Sequence, residues 1–158
     1  NSNNQFSTFA QYSDLRYVGQ SVRNADRWVA GAAFAHAYRS GTVAFASGYW
    51  VNERPHDGEK GWLGFDGFGL RAGGQMNLNP RTELFFVGSI ESRRYNEQDP
   101  SFLKLRKDIQ YDVSLGLNYK PTRQWQVTPK FSWTQNESNI DLNKYHRETV
   151  SVTVRRAF

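Results

Sequence analysis

The chain of 158 residues suits a single domain, and with 38% hydrophobic residues and a mean hydropathy of −0.73 it lacks any apolar run near the ~18 residues of a transmembrane helix. It has no cysteine, which excludes a disulfide framework and a thiolate metal site. The net charge of +5 is scattered over residues such as Arg23, Arg27, Lys60, Lys104, Arg106, Lys107, Lys144 and Arg147; no single stripe forms, which argues against nucleic acid and fits phosphate-bearing surface lipid.

Aromatic residues make up 15% of the chain, much of it at the ends of alternating stretches. A strand with one face on lipid and the other on water is polar on average, because only alternate residues meet the membrane. Eight such stretches predict eight β-strands. The first, about 5–17, follows Asn1-Ser2-Asn3-Asn4, which has no charged or apolar leader, as in a mature chain or a piece of a longer one. Its alternation around Phe6 to Tyr12 is weak, so a bulge or the edge of a cut is expected there. The second, 27–39, points Trp28, Ala30, Ala32, Phe34, His36 and Tyr38 outward, and Ser40-Gly41 turns it into the third, 42–54.

Strands 65–79 and 82–95 place Phe68, Leu70, Ala72, Met76, Leu78, Leu84, Phe86 and Ile90 outward, with Arg71, Gln75, Asn77, Glu83, Glu91 and Arg93 inward. The glycines from Gly67 to Gly74 imitate a phosphate loop, but strand alternation continues where a helix would have to start; small inward residues easing backbone approach are the expected meaning. Strand 107–120 sets Tyr111, Val113, Leu115, Leu117 and Tyr119 against Asp112, Ser114, Gly116, Asn118 and Lys120. Strand 125–136 repeats the pattern with Trp125, Val127, Pro129, Phe131 and Trp133 against Gln126, Thr128, Lys130, Ser132 and Thr134. Both apolar faces are aliphatic or Phe in the middle and aromatic at the ends, as an apolar band between two girdles requires. The last strand, 144–158, ends on Phe158.

Connections alternate in length. Ser40-Gly41, Asn79-Pro80-Arg81 and Pro121-Thr122-Arg123-Gln124 are tight, whereas 18–26, 55–64, 96–106 and 137–143 are long and polar. This asymmetry predicts an all-β, antiparallel up-and-down transmembrane barrel of the cell outer membrane of a Gram-negative bacterium, with short turns and both termini periplasmic. Placing Leu78 opposite Leu84 sets Arg71 opposite Glu91, and the same count from Tyr119 and Trp125 puts Asp112 diagonal to Lys130. The inward charges Arg71, Glu83, Glu91, Arg93, Asp108, Asp112, Lys120, Lys130 and Arg155 then either fill a narrow closed barrel or line the conduit of a wider one. His36, His56 and His146 lack metal-ligand spacing and no serine sits in a nucleophile motif, so neither a metal or other cofactor nor catalysis is expected.

The C-terminal third carries a family resemblance in Arg106-Lys107-Asp108-Ile109-Gln110-Tyr111-Asp112-Val113-Ser114-Leu115, Thr128-Pro129, Ser138-Asn139-Ile140-Asp141-Leu142-Asn143-Lys144-Tyr145-His146-Arg147 and Arg155-Arg156-Ala157-Phe158. It resembles the barrel end of the surface lipoprotein assembly modifier (Slam) family and of related outer-membrane proteins with tetratricopeptide repeats. The most specific part is the string Ser138, Asn139, Ile140, Leu142, Tyr145 and Arg147; a looser match runs upstream through Arg71 to Leu78. The resemblance implies a barrel of about fourteen strands behind a periplasmic helical repeat domain, helping lipoproteins or other exported proteins reach the cell surface without catalysis. With about half those strands and no repeat region, this chain is expected to be the C-terminal part of a longer barrel. Implied partners are an exported lipoprotein client, outer-membrane lipid including lipopolysaccharide, and the barrel assembly machinery, engaged through the last strand. Rival readings are a porin-like exporter of polysaccharide or small solutes, a plugged eight-stranded structural or adhesive barrel, and a soluble ligand-binding barrel, whose faces would be reversed.

Overall fold

The structure is a computed structural model and describes residues 3–157. Eight strands, β1 (Asn4–Leu15), β2 (Ala25–Ala37), β3 (Val43–Pro55), β4 (Phe65–Asn79), β5 (Thr82–Asp99), β6 (Lys104–Tyr119), β7 (Trp125–Ser138) and β8 (Tyr145–Arg156), form one antiparallel sheet in chain order. Every connection is a hairpin, so alternating pattern and tight turns suffice to specify the topology. The first tight turn works because Gly41 takes φ 80°, letting Tyr38 N donate to Thr42 O at 2.8 Å. Short 3-10 turns at Ser21–Arg23, Gly58–Leu63 and Asp141–Asn143 lie in three of the long connections. No helix among the described residues is long and apolar enough to cross a membrane, which says nothing about crossing by strands.

Several expectations change in detail. β1 pairs with β2 from Asn4 to Leu15 in unbroken register, so the expected bulge is absent. The segment 96–106 is mostly strand rather than loop. β5 runs on to Asp99 and β6 begins at Lys104, with a register shift between Arg94 and Gln98. Asp99 closes this hairpin, its carbonyl accepting from Leu103 N at 2.8 Å and its carboxylate from Ser101 N at 2.8 Å.

Both cross-strand charge pairs are corrected. At the β4–β5 turn, Asn79 Oδ1 accepts from Arg81 N at 2.9 Å, Asn79 pairs with Thr82, and the ladder slips past Leu78. Arg71 therefore faces Ser89, and Glu91 faces Gly69. At the β6–β7 turn Tyr119 faces Val127, not Trp125. Asp112 consequently meets Thr134, while Lys130 meets Gly116. One tight turn absorbing an unpaired residue is enough to undo a pairing counted from its ends.

From β2 to β7 the two faces differ in exposure, whereas β1 and β8 are exposed at nearly every residue. On one, Phe68 is 69% exposed, and Phe6, Trp28, Phe34, Leu70, Phe86, Val113, Leu115, Phe131, Val150 and Val152 are open as well. On the other, Val51 is 4% exposed and packs with buried Phe65 and Tyr95 against Val29 and Tyr49. We term these the exposed and sheltered faces. No ladder joins β8 to β1 among the described residues, so both remain edges of the sheet.

Candidate functional site

The sheltered face is the candidate site, and its first half is built by shape. Aromatic side chains lie on glycines of neighbouring strands: an added Cβ would come within 2.1 Å of the Tyr49 ring at Gly69, 2.9 Å of Phe45 at Gly73, 2.4 Å of Phe85 at Gly116 and 2.7 Å of Phe9 at Gly31. Rings covering glycine backbone recover the burial that a missing side chain forfeits. The Gly67 to Gly74 stretch is thus explained by close approach.

Its second half is built by hydrogen bonds. Tyr49 Oη donates to Glu91 Oε2 at 2.6 Å, and Arg93 Nε donates to Glu91 Oε1 at 2.5 Å. Arg93 Nη2 reaches Gln110 Oε1 at 3.3 Å, Gln110 Nε2 donates to Asp112 Oδ2 at 2.9 Å, and Thr134 Oγ1 donates to Asp112 Oδ1 at 2.7 Å. Tyr145 Oη adds a 3.4 Å contact to Gln110, so the chain of bonds links β3, β5, β6, β7 and β8. Asp108, 1% exposed, is forked by Arg106, whose guanidinium also lies 4.4 Å from the Tyr95 ring centroid. Nearer the tight turns, Asn118 donates to Glu83 at 2.8 Å and accepts from Thr128 at 2.9 Å.

The geometry thus joins Glu91, Arg93 and Asp112 in one network and gives Asp108 its own partner. Arg71, Lys130 and Arg155 project from the same face without an ion pair among the described residues, and Lys120 lies one residue beyond β6. Like charges kept apart and hydrated on a polar wall can meet a passing anionic group without reorganisation.

The family string folds as a staple rather than a pocket. Asn139 Oδ1 accepts from Lys107 N at 2.8 Å and Asn139 Nδ2 donates to Leu105 O at 2.9 Å, so an amide side chain continues the ladder along β6. Ser138 Oγ accepts from Ile140 N at 3.1 Å, and Ile140 is buried. Leu142, by contrast, is 84% exposed at the turn. Lys144 Nζ lies 2.7 Å from Asp141, which lowers the Asp141 pKa and raises that of Lys144. Arg147 sits opposite Thr134, and Phe158 lies outside the described residues.

Sequence reasoning passed over Asn136, 2% exposed, whose Nδ2 donates to Asn143 O at 2.7 Å while its Oδ1 has no partner among the described residues. Its one signal in the sequence was that it continues the polar alternation of β7 just ahead of the family string. Sequence also missed Asp14, Asp26 and His56, whose ligand atoms lie within 4.8 Å of one another although they come from three segments. His56 Nε2 is 3.2 Å from Asp26, which also accepts from Tyr12 Oη at 2.7 Å. These three could hold a cation, but they already answer one another's charge and hydrogen bonds. His36 is engaged elsewhere, with Nδ1 2.6 Å from Asn4 Oδ1.

An antiparallel up-and-down sheet with an apolar exposed face and a hydrogen-bonded polar sheltered face is the wall of an all-β barrel-type domain. The family model for the surface lipoprotein assembly modifier matches residues 1–158, and the chain belongs to that family. Surface lipoprotein assembly modifier 1 of Haemophilus influenzae is 22% identical over 156 residues, covering 98% of this chain and 32% of that protein. The chain therefore spans about a third of the length of the curated relative it matches. No solved structure matches it.

Proposed function

We propose that residues 1–158 are the C-terminal portion of a larger outer-membrane β-barrel that assists surface assembly of lipoproteins by non-covalent means. The observation that carries this is the hydrogen-bonded chain from Tyr49 to Thr134 on the face opposite the open apolar one, in a member of this family. Such a division suits a wall between lipid and a hydrated lumen, along which Arg71, Lys130 and Arg155 would meet the client. The unpaired edges of β1 and β8 favour a larger barrel over a closed eight-stranded one. Short turns and both termini would be periplasmic, the apolar face would contact outer-membrane lipid including lipopolysaccharide, and β8 would engage the barrel assembly machinery.

The test is display of a co-expressed lipoprotein on intact cells by the full-length protein. Arg71→Glu combined with Lys130→Glu should leave the barrel folded and inserted yet lower surface exposure of the client severalfold. Unchanged display would refute the role given to the sheltered wall.

A further inference from the structure

The exposed face carries one charged pair that the sheet itself does not explain. Arg94 and Lys107 stand directly opposite each other across β5 and β6, both exposed. Neither makes an ion pair among the described residues. Like charges facing each other across a ladder are destabilising. The nearest acidic residues in register, Asp66 opposite Arg94 on β4 and Glu137 opposite Ile109 on β7, keep their charge but form no ion pair with either cation among the described residues: Asp66 accepts from Asn52 at 2.9 Å and Glu137 from Gln135.

Position supplies the second argument. Two and four residues below Lys107 on the same face come Ile109 and Tyr111, then Val113 and Leu115, down to Tyr119 beside the tight turn. Below Arg94 the same face runs through Ser92, Ile90, Gly88, Phe86 and Leu84. The cations therefore cap the apolar band at its long-loop end, roughly 7 Å beyond Ile109 at ~3.3 Å per residue. This is where the band should give way to headgroups.

We infer that Arg94 and Lys107 form a binding site for a phosphate group on a membrane glycolipid, the anion that offsets their mutual repulsion. Arg94 supplies a planar fork matched to phosphate oxygens, and Lys107 supplies a point charge from the adjacent strand. The inference rests on the membrane-wall reading above and adds the lipid chemistry that the wall selects.

The test is native mass spectrometry of the full-length protein in detergent, titrated with diphosphorylated lipid A, its dephosphorylated form, or inorganic phosphate. For Arg94→Gln with Lys107→Gln, apparent affinity for the phosphorylated lipid should fall roughly tenfold or more, while the dephosphorylated lipid should not distinguish variant from parent. Arg39→Gln with Arg123→Gln removes the same charge at the opposite end and should leave affinity unchanged. Equal binding of both lipids, or loss of affinity in both double variants alike, would overturn the site. Inorganic phosphate competing at the lipid's own affinity would reassign it to a free anion. A parent protein showing no heat-dependent gel shift of a folded barrel would overturn the membrane reading itself, whereas a normal shift with no phosphate preference would sink this site alone.

Discussion

The two halves of the sheltered face obey the same alternation and solve different problems. From β1 to β5, rings of Phe9, Phe45 and Tyr49 lie over glycines, and packing is achieved by shape. From β5 to β8, Glu91, Arg93, Gln110, Asp112 and Thr134 are tied by directional bonds, and Phe85 on Gly116 is where the ring-on-glycine packing reaches into this half. Tyr49 joins the halves, its ring on Gly69 and its hydroxyl on Glu91. A wall built by shape tolerates no added atom, whereas one built by hydrogen bonds tolerates small losses but not a stranded charge.

The largest expected effect tests the premise shared by both halves, that this face looks away from lipid. Leu115→Arg on the exposed face should cost about 2–4 kcal/mol of barrel stability in a bilayer, while Ser114→Arg, one residue along, should cost far less. Refolding titrations into lipid vesicles give the comparison, and equal costs would mean that the faces are misassigned.

Next in size is the shape-built half. Gly69→Ala drives a methyl into the Tyr49 ring and should destabilise by about 1–3 kcal/mol, and Tyr49→Ala in the same background should return part of that loss. Gly88 provides the contrast, since its added Cβ meets nothing nearer than 3.9 Å. Gly88→Ala should leave the unfolding midpoint unchanged or slightly raised, and a loss comparable to that at Gly69 would show that close approach is not what glycine serves here.

Sequence revealed the strand number, the hairpin order and which residues of β4 to β7 share a face, because those depend on alternation alone. Register was hidden, since the unpaired Leu78 is as apolar as Met76 and Leu84, which do pair on its face. The β5–β6 extension was hidden too: Asn96-Glu97-Gln98-Asp99 reads as loop by composition, but Gln98 and Asp99 pair with Leu105 and Lys104. The aromatic half went unnoticed because inward Phe45 and Phe85 break the polar-inside rule, and their reason lies in glycines on other strands. The grouping of Asp14, Asp26 and His56 likewise needs two ladders and a loop to be folded first.

A smaller effect concerns the staple at the end of the polar half. Asn139→Ala removes two side-chain bonds to the β6 backbone and should cost about 1 kcal/mol, because water replaces them in part. Hydrogen exchange should quicken at Lys107 while Asp112 and Thr134 stay protected. Loosening that spreads into the Glu91–Thr134 chain would mean the staple and the wall are one cooperative unit rather than two.

The smallest effect is electrostatic and lies in the same turn. Asp141 titrates below its ordinary value of 3.8 because Lys144 donates to it, and Lys144 titrates above its ordinary 10.5 for the same reason. A depressed carboxylate contributes its stabilisation above the unfolded value and loses it as pH falls through the folded one. The raised lysine contributes below its unfolded value and loses it as pH rises through its own. The turn should therefore hold between these limits and loosen first in acid. Carboxyl-carbon NMR of the protein in micelles should find the Asp141 titration moving up toward 3.8 in Lys144→Ala, with hydrogen exchange along the Glu91–Thr134 chain unchanged. Exchange that quickened there would join this turn to the network across β7, and the separation between stapled loop and polar wall would fail.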